Sequence, residues 1–196
     1  MEIMTRGHDR GQSRSAHVDT FTRRHLPPDG TWPELVFPLP ELRYPERLNA
    51  AQRLLDHWVE RGDGDRTCVI GERESLTYAQ LQARADQIAN VLVRDLGLQP
   101  GNRVLLRSPN NPWAAACWFA VLKAGGVVVT TMPLLRRAEI ATILEIAECS
   151  LALCGALLVA LAWRVDRHWT DIHMTAHYCA ESPRDLARGA VLRWTG

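Results

Sequence analysis

The sequence predicts an α/β fold in which a mainly parallel sheet is flanked by helices. Two short apolar runs, residues 104–106 and 127–129, have the composition of strands that are buried on both faces. Between them, residues 113–124 are apolar on nearly every side, which is typical of a helix packed inside a core. Because strand, helix and strand follow one another directly, we expect a βαβ unit with right-handed crossovers.

Two helices and a hairpin are predicted ahead of this unit. Asn49 can cap the first helix, which ends at Gly62, and Thr77 can cap the second, which ends at Gly97. Residues 67–76 have the pattern of a hairpin with a polar turn. The inner face of the first helix is expected to carry the apolar residues at helical spacing, which are Ala51, Leu54, Leu55, Trp58 and Val59.

The boundaries of the central helix also have local signals. Asn111 followed by Pro112 has the order of an N-cap and a first-turn proline, and Gly125 suits the left-handed position after the last turn. Residues 130–133 are expected to break the second strand. A further amphipathic helix is predicted over residues 136–148, and a third parallel strand over residues 150–154.

These signals divide the chain into four segments. Residues 1–20 are polar and arginine-rich and are predicted to form a mobile tail. Residues 21–48 form a proline-rich extended arm, and residues 49–154 form the partial α/β domain. Residues 155–196 form an atypical tail without a clear helical or strand period. The arm is expected to wrap over the domain and to bury its large apolar side chains, which are Trp32, Leu35, Phe37, Leu39, Leu42 and Tyr44.

Composition restricts the classes of partner. The 196 residues carry a net charge of +1, which gives no argument for binding nucleic acid or an anionic membrane surface. The longest apolar run, residues 151–163, is shorter than a membrane-spanning helix. Five cysteines without paired spacing, and an N-terminus without the apolar core of a signal peptide, predict a reducing cytoplasm.

Two of the candidate sites are groups of polar residues, and each has a simpler structural explanation. Residues 108–112 lie between a strand and a helix, where an α/β protein can bind an anion. They contain no glycine to let a phosphate approach, so a capped turn is favoured. A metal cluster is conceivable in the tail, but accidental enrichment is favoured because no carboxylate anchors it. The residues concerned are His168, His173, His177 and Cys179.

Two further candidate sites consist of aromatic or imidazole side chains. Trp113, Trp118 and Phe119 could line an aromatic pocket, although side chains on such an apolar helix more often belong to the core. His57 could act as a base, but no nucleophile is placed near it, so a helix-surface position is favoured. We therefore predict no catalytic, cofactor-binding or metal-binding residue in this chain.

Two motifs occur in a fixed order, LTYAQL at residues 76–81 and LKAGGVVV at residues 122–129, the second followed by Pro133. They resemble the first two core motifs of the AMP-forming acyl-CoA ligase and adenylation superfamily. Upstream, DTF, LPP, WPE and LRYPERLN, which begin at residues 19, 26, 32 and 42, look like the aryl-CoA ligase branch, of the 2-aminobenzoate-CoA and benzoate-CoA ligase type.

The resemblance implies a fold, a reaction and a set of substrates. The fold would be the incomplete N-terminal part of an acyl-adenylate-forming domain. The full-length family uses ATP, Mg and CoA: a carboxylate attacks ATP to give an acyl-adenylate and pyrophosphate, and the CoA thiol then displaces AMP. An aromatic carboxylate would be the substrate in this branch.

The catalytic parts of that family have no counterpart in this sequence. The family's phosphate-binding loop is rich in glycine, serine and threonine and is followed by lysine, and no such stretch occurs here. Lys123 lies in the second motif and is not the family's late catalytic lysine. We expect this chain alone to be inactive. The alternative is a non-catalytic remnant or interaction module, and a reading-frame shift near Gly155 is a hypothesis for the tail.

Overall fold

The structure, a computed structural model, describes residues 15–34, 36–45, 47–156 and 159–164. Its helices and strands follow the predicted alternation. In chain order they are α1 (Phe21–Arg24), α2 (His57–Glu60), β1 (Thr67–Ile70), β2 (Ser75–Thr77), α3 (Tyr78–Asn90), β3 (Arg103–Arg107), α4 (Pro112–Lys123), β4 (Val127–Thr131), α5 (Arg137–Ala147), β5 (Leu151–Ala156) and β6 (Val159–Arg164). Short 3-10 turns occupy Asp29–Thr31 and Pro40–Leu42, and π-helical turns occupy Gln52–Asp56 and Val91–Asp95.

The main sheet has the strand order β4-β3-β5-β6. Strand β3 runs parallel to both β4 and β5, whereas β6 is antiparallel to β5. All five residues of β3 are buried, as expected for a strand covered on both faces. The predicted mainly parallel sheet and its third parallel strand are therefore confirmed. Strands β1 and β2 form the predicted hairpin, antiparallel and separate from the main sheet.

Two strands differ from the prediction. Strand β4 does not break at Thr130 but continues to Thr131, because it pairs with β3 along its whole length, up to Arg107 opposite Thr131. The apolar run at residues 151–163 contains two paired strands, so β6 lies in the segment expected to be an atypical tail. Since that run is apolar at almost every position, it lacks the alternation that would have revealed two strands.

Two hydrophobic layers cover the sheet. Val104 and Leu106 belong to the larger layer, which contains buried residues of the hairpin, α3 and α4. Leu105 belongs to the smaller layer on the opposite face, where Ile140 of α5 packs. This alternation follows from the two-residue period of a strand. Among the described residues, no helix has both the length and the apolar character required to cross a bilayer.

The predicted helix boundaries are confirmed by their hydrogen bonds. Asn111 Oδ1 accepts from Ala114 N at 2.8 Å, and Pro112 is the first residue of α4. Thr77 and Gln80 form a reciprocal capping box at the start of α3. Gly125 has φ +77° just after α4, a left-handed conformation that glycine adopts without the steric cost of a side chain.

The first predicted helix buries the expected face except at Leu54, and Trp58 and Val59 on that face are half-buried. Ala51 and Leu55 are fully buried, but Leu54 is 52 % exposed. The cause is the π-helical turn at Gln52–Asp56, which takes more residues per turn than an α-helix and therefore rotates the faces relative to α-helical spacing.

The chain is attached to the domain just before the proline-rich arm begins. Val18 N and Asp19 N donate to Pro100 O at 3.0 and 2.9 Å, so residues within the predicted mobile tail bind the domain. Further along, the backbone hydrogen bonds are local, as in Leu42 N to Leu39 O at 3.1 Å. Of the side chains expected to be buried, Trp32 is half-buried and Leu35 lies outside the described residues. The expectation is wrong for the exposed ones, which are Phe37, Leu39, Leu42 and Tyr44.

Candidate functional site

An open groove lies at the carboxyl ends of β3 and β4, with a volume of about 690 Å³. Its walls are the segment that joins β3 to α4, the first turns of α4, and the segment that follows β4. The lining residues are Leu106, Ser108, Pro109, Asn110, Ala114, Ala115, Trp118, Thr130, Thr131, Met132, Pro133 and Leu134. Because open α/β sheets bind ligands at the carboxyl ends of their strands, this groove is the candidate site.

Hydroxyl groups supply part of the groove's polarity. Ser108 Oγ donates to Pro109 O at 2.9 Å. Thr131 Oγ1 is buried and finds no hydrogen-bond partner among the described residues. A buried hydroxyl without a partner is costly, so a ligand atom that bonded Thr131 would bind favourably.

Arg107 is a neighbour of both hydroxyl residues, of one along the chain and of the other across the sheet. It precedes Ser108 in the chain and pairs with Thr131 in the strand register. Its side chain is buried, and Nη2 donates to Pro133 O and, at 3.0 Å, to Leu135 O. Burial lowers the pKa of Arg107, although an arginine remains charged in a protein. The guanidinium therefore ties residues 133–135, which include part of the groove wall, to β3.

The aromatic residues of α4 have three different environments. The Trp118 ring lines the groove and also packs against the core, and it meets the Phe119 ring edge-on at 5.2 Å. Phe119 packs against the same core. Trp113 instead lies under the guanidinium of Arg84 at 4.8 Å, and Arg84 forms two hydrogen bonds with the Glu74 carboxylate. The core interpretation holds for Phe119, whereas Trp118 belongs to both core and groove.

The remaining sequence candidates have definite positions. Residues 108–112 form the predicted capped turn, and the first three of them also line the groove. The His57 ring lies edge-on to Trp58 at 6.0 Å and is not part of the groove lining. The cluster proposed at His168, His173, His177 and Cys179 lies outside the described residues. Sequence reasoning did not single out Arg107, and it treated Thr131 only as part of the segment that ends the second strand, although polar residues at strand ends were a signal for both.

A second group of charged side chains joins three helical segments. Lys123 Nζ, on the last residue of α4, contacts Asp86 and lies 2.7 Å from Asp56 Oδ1. Gln82 Nε2 donates to the same Asp56 oxygen at 2.9 Å. Burial by itself would lower the pKa of Lys123, but the hydrogen bonds with the two aspartates outweigh it and raise the pKa. Through these ion pairs, Lys123 joins α4 to the helical segments that carry Asp56 and Asp86, which is a structural role.

The groove lining does not fit a divalent metal or a triphosphate. In the part of the chain that the structure describes, the lining contains no carboxylate, histidine or lysine. Across the same described ranges, no three side chains of histidine, cysteine, aspartate or glutamate come together as metal ligands. Magnesium prefers oxygen ligands such as carboxylates, so these residues alone would not hold it.

Comparisons with known proteins show which family and which folds this chain resembles. The family model described as AMP-binding enzyme matches residues 55–188, a range that continues past residue 154. The chain is 41 % identical over 92 residues to salicyl-AMP ligase / salicyl-S-ArCP synthetase of Mycobacterium tuberculosis, which covers 47 % of this chain. It is 38 % identical over 84 residues to acetyl-coenzyme A synthetase of the same organism, which covers 40 % of this chain.

A solved structure supports the fold. The anthranilate CoA ligase AuaEII, in complex with anthranoyl-AMP, superposes with a TM-score of 0.50 over 53 % of this chain, at 22 % identity. The matched part is 20 % of that structure's chain. The chain likewise spans only 15 % of the salicyl-AMP ligase and 13 % of the acetyl-coenzyme A synthetase.

Proposed function

The chain belongs to the AMP-binding enzyme family, and from this membership we propose that it forms the N-terminal part of an AMP-forming aryl-CoA ligase. In the complete reaction, a carboxylate oxygen attacks the α-phosphorus of ATP, and pyrophosphate leaves. The CoA thiol then attacks the acyl carbon, and AMP leaves with the electrons of the broken acyl–phosphate bond. Acyl-CoA, AMP and pyrophosphate are the products.

One observation carries the proposal: the family match runs through the whole parallel sheet and the groove at its carboxyl end. In this fold class, ligands bind at that edge. We propose that the groove contributes one wall of the substrate site. The rest of the site would come from residues outside the described part.

The aromatic substrate class is the finer part of the proposal. It is supported by the likeness of residues 19–49 to aryl-CoA ligases and by the match to an enzyme named for salicyl-AMP. The acetyl-coenzyme A synthetase match is of similar identity, so the choice between aromatic and aliphatic acids needs a direct test.

A non-catalytic interaction module is the second candidate. The observation that favours it is the lining of the groove, which in the described structure holds neither a carboxylate nor a lysine. A chain of this kind would keep the scaffold of the family without the residues that bind ATP.

ATP–pyrophosphate exchange separates the candidates. Exchange is measured with benzoate, 2-aminobenzoate, salicylate and acetate, on this chain and on the longer polypeptide encoded with its downstream DNA. We expect exchange only in the longer form and only with the aromatic acids. Exchange with acetate alone would refute the aryl assignment, and no exchange in either form would favour the non-catalytic module.

Two further proposals concern location and the end of the chain. A cytoplasmic location is supported by Cys68, Cys117 and Cys149, which are free thiols. The division at residue 154 and the frame shift near Gly155 remain hypotheses. Sequencing the gene with its downstream DNA tests them, because a frame shift requires an alternative frame that restores the family's phosphate-binding loop.

A further inference from the structure

We propose that Arg107 is a positioning residue that holds residues 133–135 against the end of β3 and thereby fixes one wall of the groove. The inference rests on the proposed function only in treating the groove as the side that faces a ligand. The contacts that support it belong to this chain and do not depend on catalysis.

The first argument is the reach of the contacts. Arg107 Nη2 donates to the carbonyls of Pro133 and Leu135, which lie 26 and 28 residues later in the chain. The two bonds hold alternate residues of the segment that follows β4. A charged donor forms stronger hydrogen bonds than a neutral one, so these bonds are well suited to fixing a loop.

The second argument is that side-chain packing holds only one end of the segment, because Leu135 is half-buried against the smaller core layer whereas Pro133 and Leu134 are exposed. Met132 and Leu134 are 64 % and 84 % exposed, so the packing of their side chains contributes little. Within the segment, Leu135 N donates to Met132 O at a long 3.3 Å. The bonds from Arg107 therefore attach the exposed part of this wall to β3, in addition to the packing of Leu135.

The third argument is chemical. A guanidinium holds its N–H donors in a rigid plane, and here the single nitrogen Nη2 serves both carbonyls. A lysine keeps the charge, but its ammonium is a compact group on a flexible stem and does not reproduce that plane. The same arginine precedes Ser108 in the chain and is paired with Thr131 in the strand register. By holding the wall, it therefore also fixes the wall's position relative to these two hydroxyl residues.

The test compares Arg107→Lys and Arg107→Met with the wild-type chain by amide hydrogen exchange at Leu135 and by trypsin cleavage after Arg136 and Arg137. In both variants we expect exchange at Leu135 to rise at least roughly tenfold and cleavage to accelerate. The Lys variant should recover the melting temperature relative to the Met variant without recovering protection at Leu135. Recovery of both in parallel would indicate a merely structural role and would overturn the proposal.

The matched control is Arg103→Met, which removes a buried arginine from the other end of the same strand. It is expected to raise exchange at Val18 and Asp19, whose amides bind Pro100 O, and not selectively at Leu135. An equal rise at Leu135 in the Arg103 and Arg107 variants would overturn the proposal. If the Met variants do not fold, the wild-type chain still decides, because exchange at Leu135 at the rate of an unstructured peptide contradicts a held wall. None of these readouts requires ligase activity.

Discussion

The two ends of β3 each carry a buried arginine, yet one end is closed and the other is open. At the amino end, Arg103 pairs with Asp19 and donates to the carbonyls of Ala147 and Glu148 at 2.8 and 2.7 Å. At the carboxyl end, Arg107 holds an exposed loop beside the groove. Arg103 therefore closes the amino end of the strand, because it binds a carboxylate and the carbonyls at the end of α5. Arg107 leaves the carboxyl end open, because it binds the carbonyls of a loop at the side of the groove.

The largest expected effect is on the closed end. Arg103→Met should lower the free energy of unfolding by about 3 kcal/mol, because it removes the positive partner of the Asp19 carboxylate and the donor of two carbonyls. Arg107→Met should cost about 2 kcal/mol, since the loop that it releases can bind water. Urea unfolding of both variants measures the difference, and an equal or larger loss in Arg107→Met would contradict the contrast.

A loss similar to that of Arg107→Met is expected where the open end meets the core. Trp118→Ala should lower the free energy of unfolding by about 2 kcal/mol, less than the 3–5 kcal/mol typical of a fully buried tryptophan. The reason is that one side of the ring faces the groove. Thermal and urea unfolding give the value, and Phe119→Ala is the neighbouring control from the core side. A loss as large as that of full burial would place Trp118 wholly in the core.

Acid should loosen the closed end before the open end. Burial would raise the pKa of Asp19, but hydrogen bonds from Phe21 N, Arg103 and Asn102 outweigh it, so the pKa lies below its ordinary value of 3.8. The stability that this carboxylate contributes is present above pH 3.8 and is lost as the pH falls through its lowered pKa. Amide exchange at Val18 should then rise, while exchange at Leu135 changes less, because that wall is held through its own carbonyls by Arg107 and not by a carboxylate. Simultaneous opening of both ends would contradict this prediction.

The smallest expected effect concerns a thiol near Arg103. Burial raises the pKa of Cys149 to about 11, against a smaller lowering by Arg103, and burial likewise raises the pKa of Cys117 to about 11. At pH 8 both should react with iodoacetamide roughly a hundredfold more slowly than a free cysteine peptide. Arg103→Met should speed alkylation of Cys149, because the exposure gained by opening that end outweighs the loss of the pKa lowering by Arg103, with Cys117 as the internal control. Peptide mass spectrometry measures both rates, and equal acceleration would indicate global loosening.

Local signals predicted the parts of the fold that local chemistry decides. Asn111 before Pro112, Thr77 with Gln80, and Gly125 each form their predicted boundary through bonds or dihedral angles within a few residues. The buried strands were equally predictable, because a short apolar run between turn residues is compatible with few structures other than a buried strand.

The missed features depend on contacts between distant residues. The arm's exposed side chains and the extension of β4 to Thr131 depend on which partners lie beside them. The wall that Arg107 holds is 26 residues away from it, so no local pattern could indicate that contact. The groove itself was only partly predictable, since a strand–turn–helix pattern marks its edge but not the loop opposite.

The environment of Lys123 has a practical consequence for labelling. It is the only lysine in the sequence, and its amine lies between Asp56 and Asp86 with 15 % of the side chain accessible. Succinimidyl esters and amine-directed crosslinkers therefore meet no exposed lysine in the folded chain. Their coupling to this side chain should be slow until its contacts with Asp56 and Asp86 open.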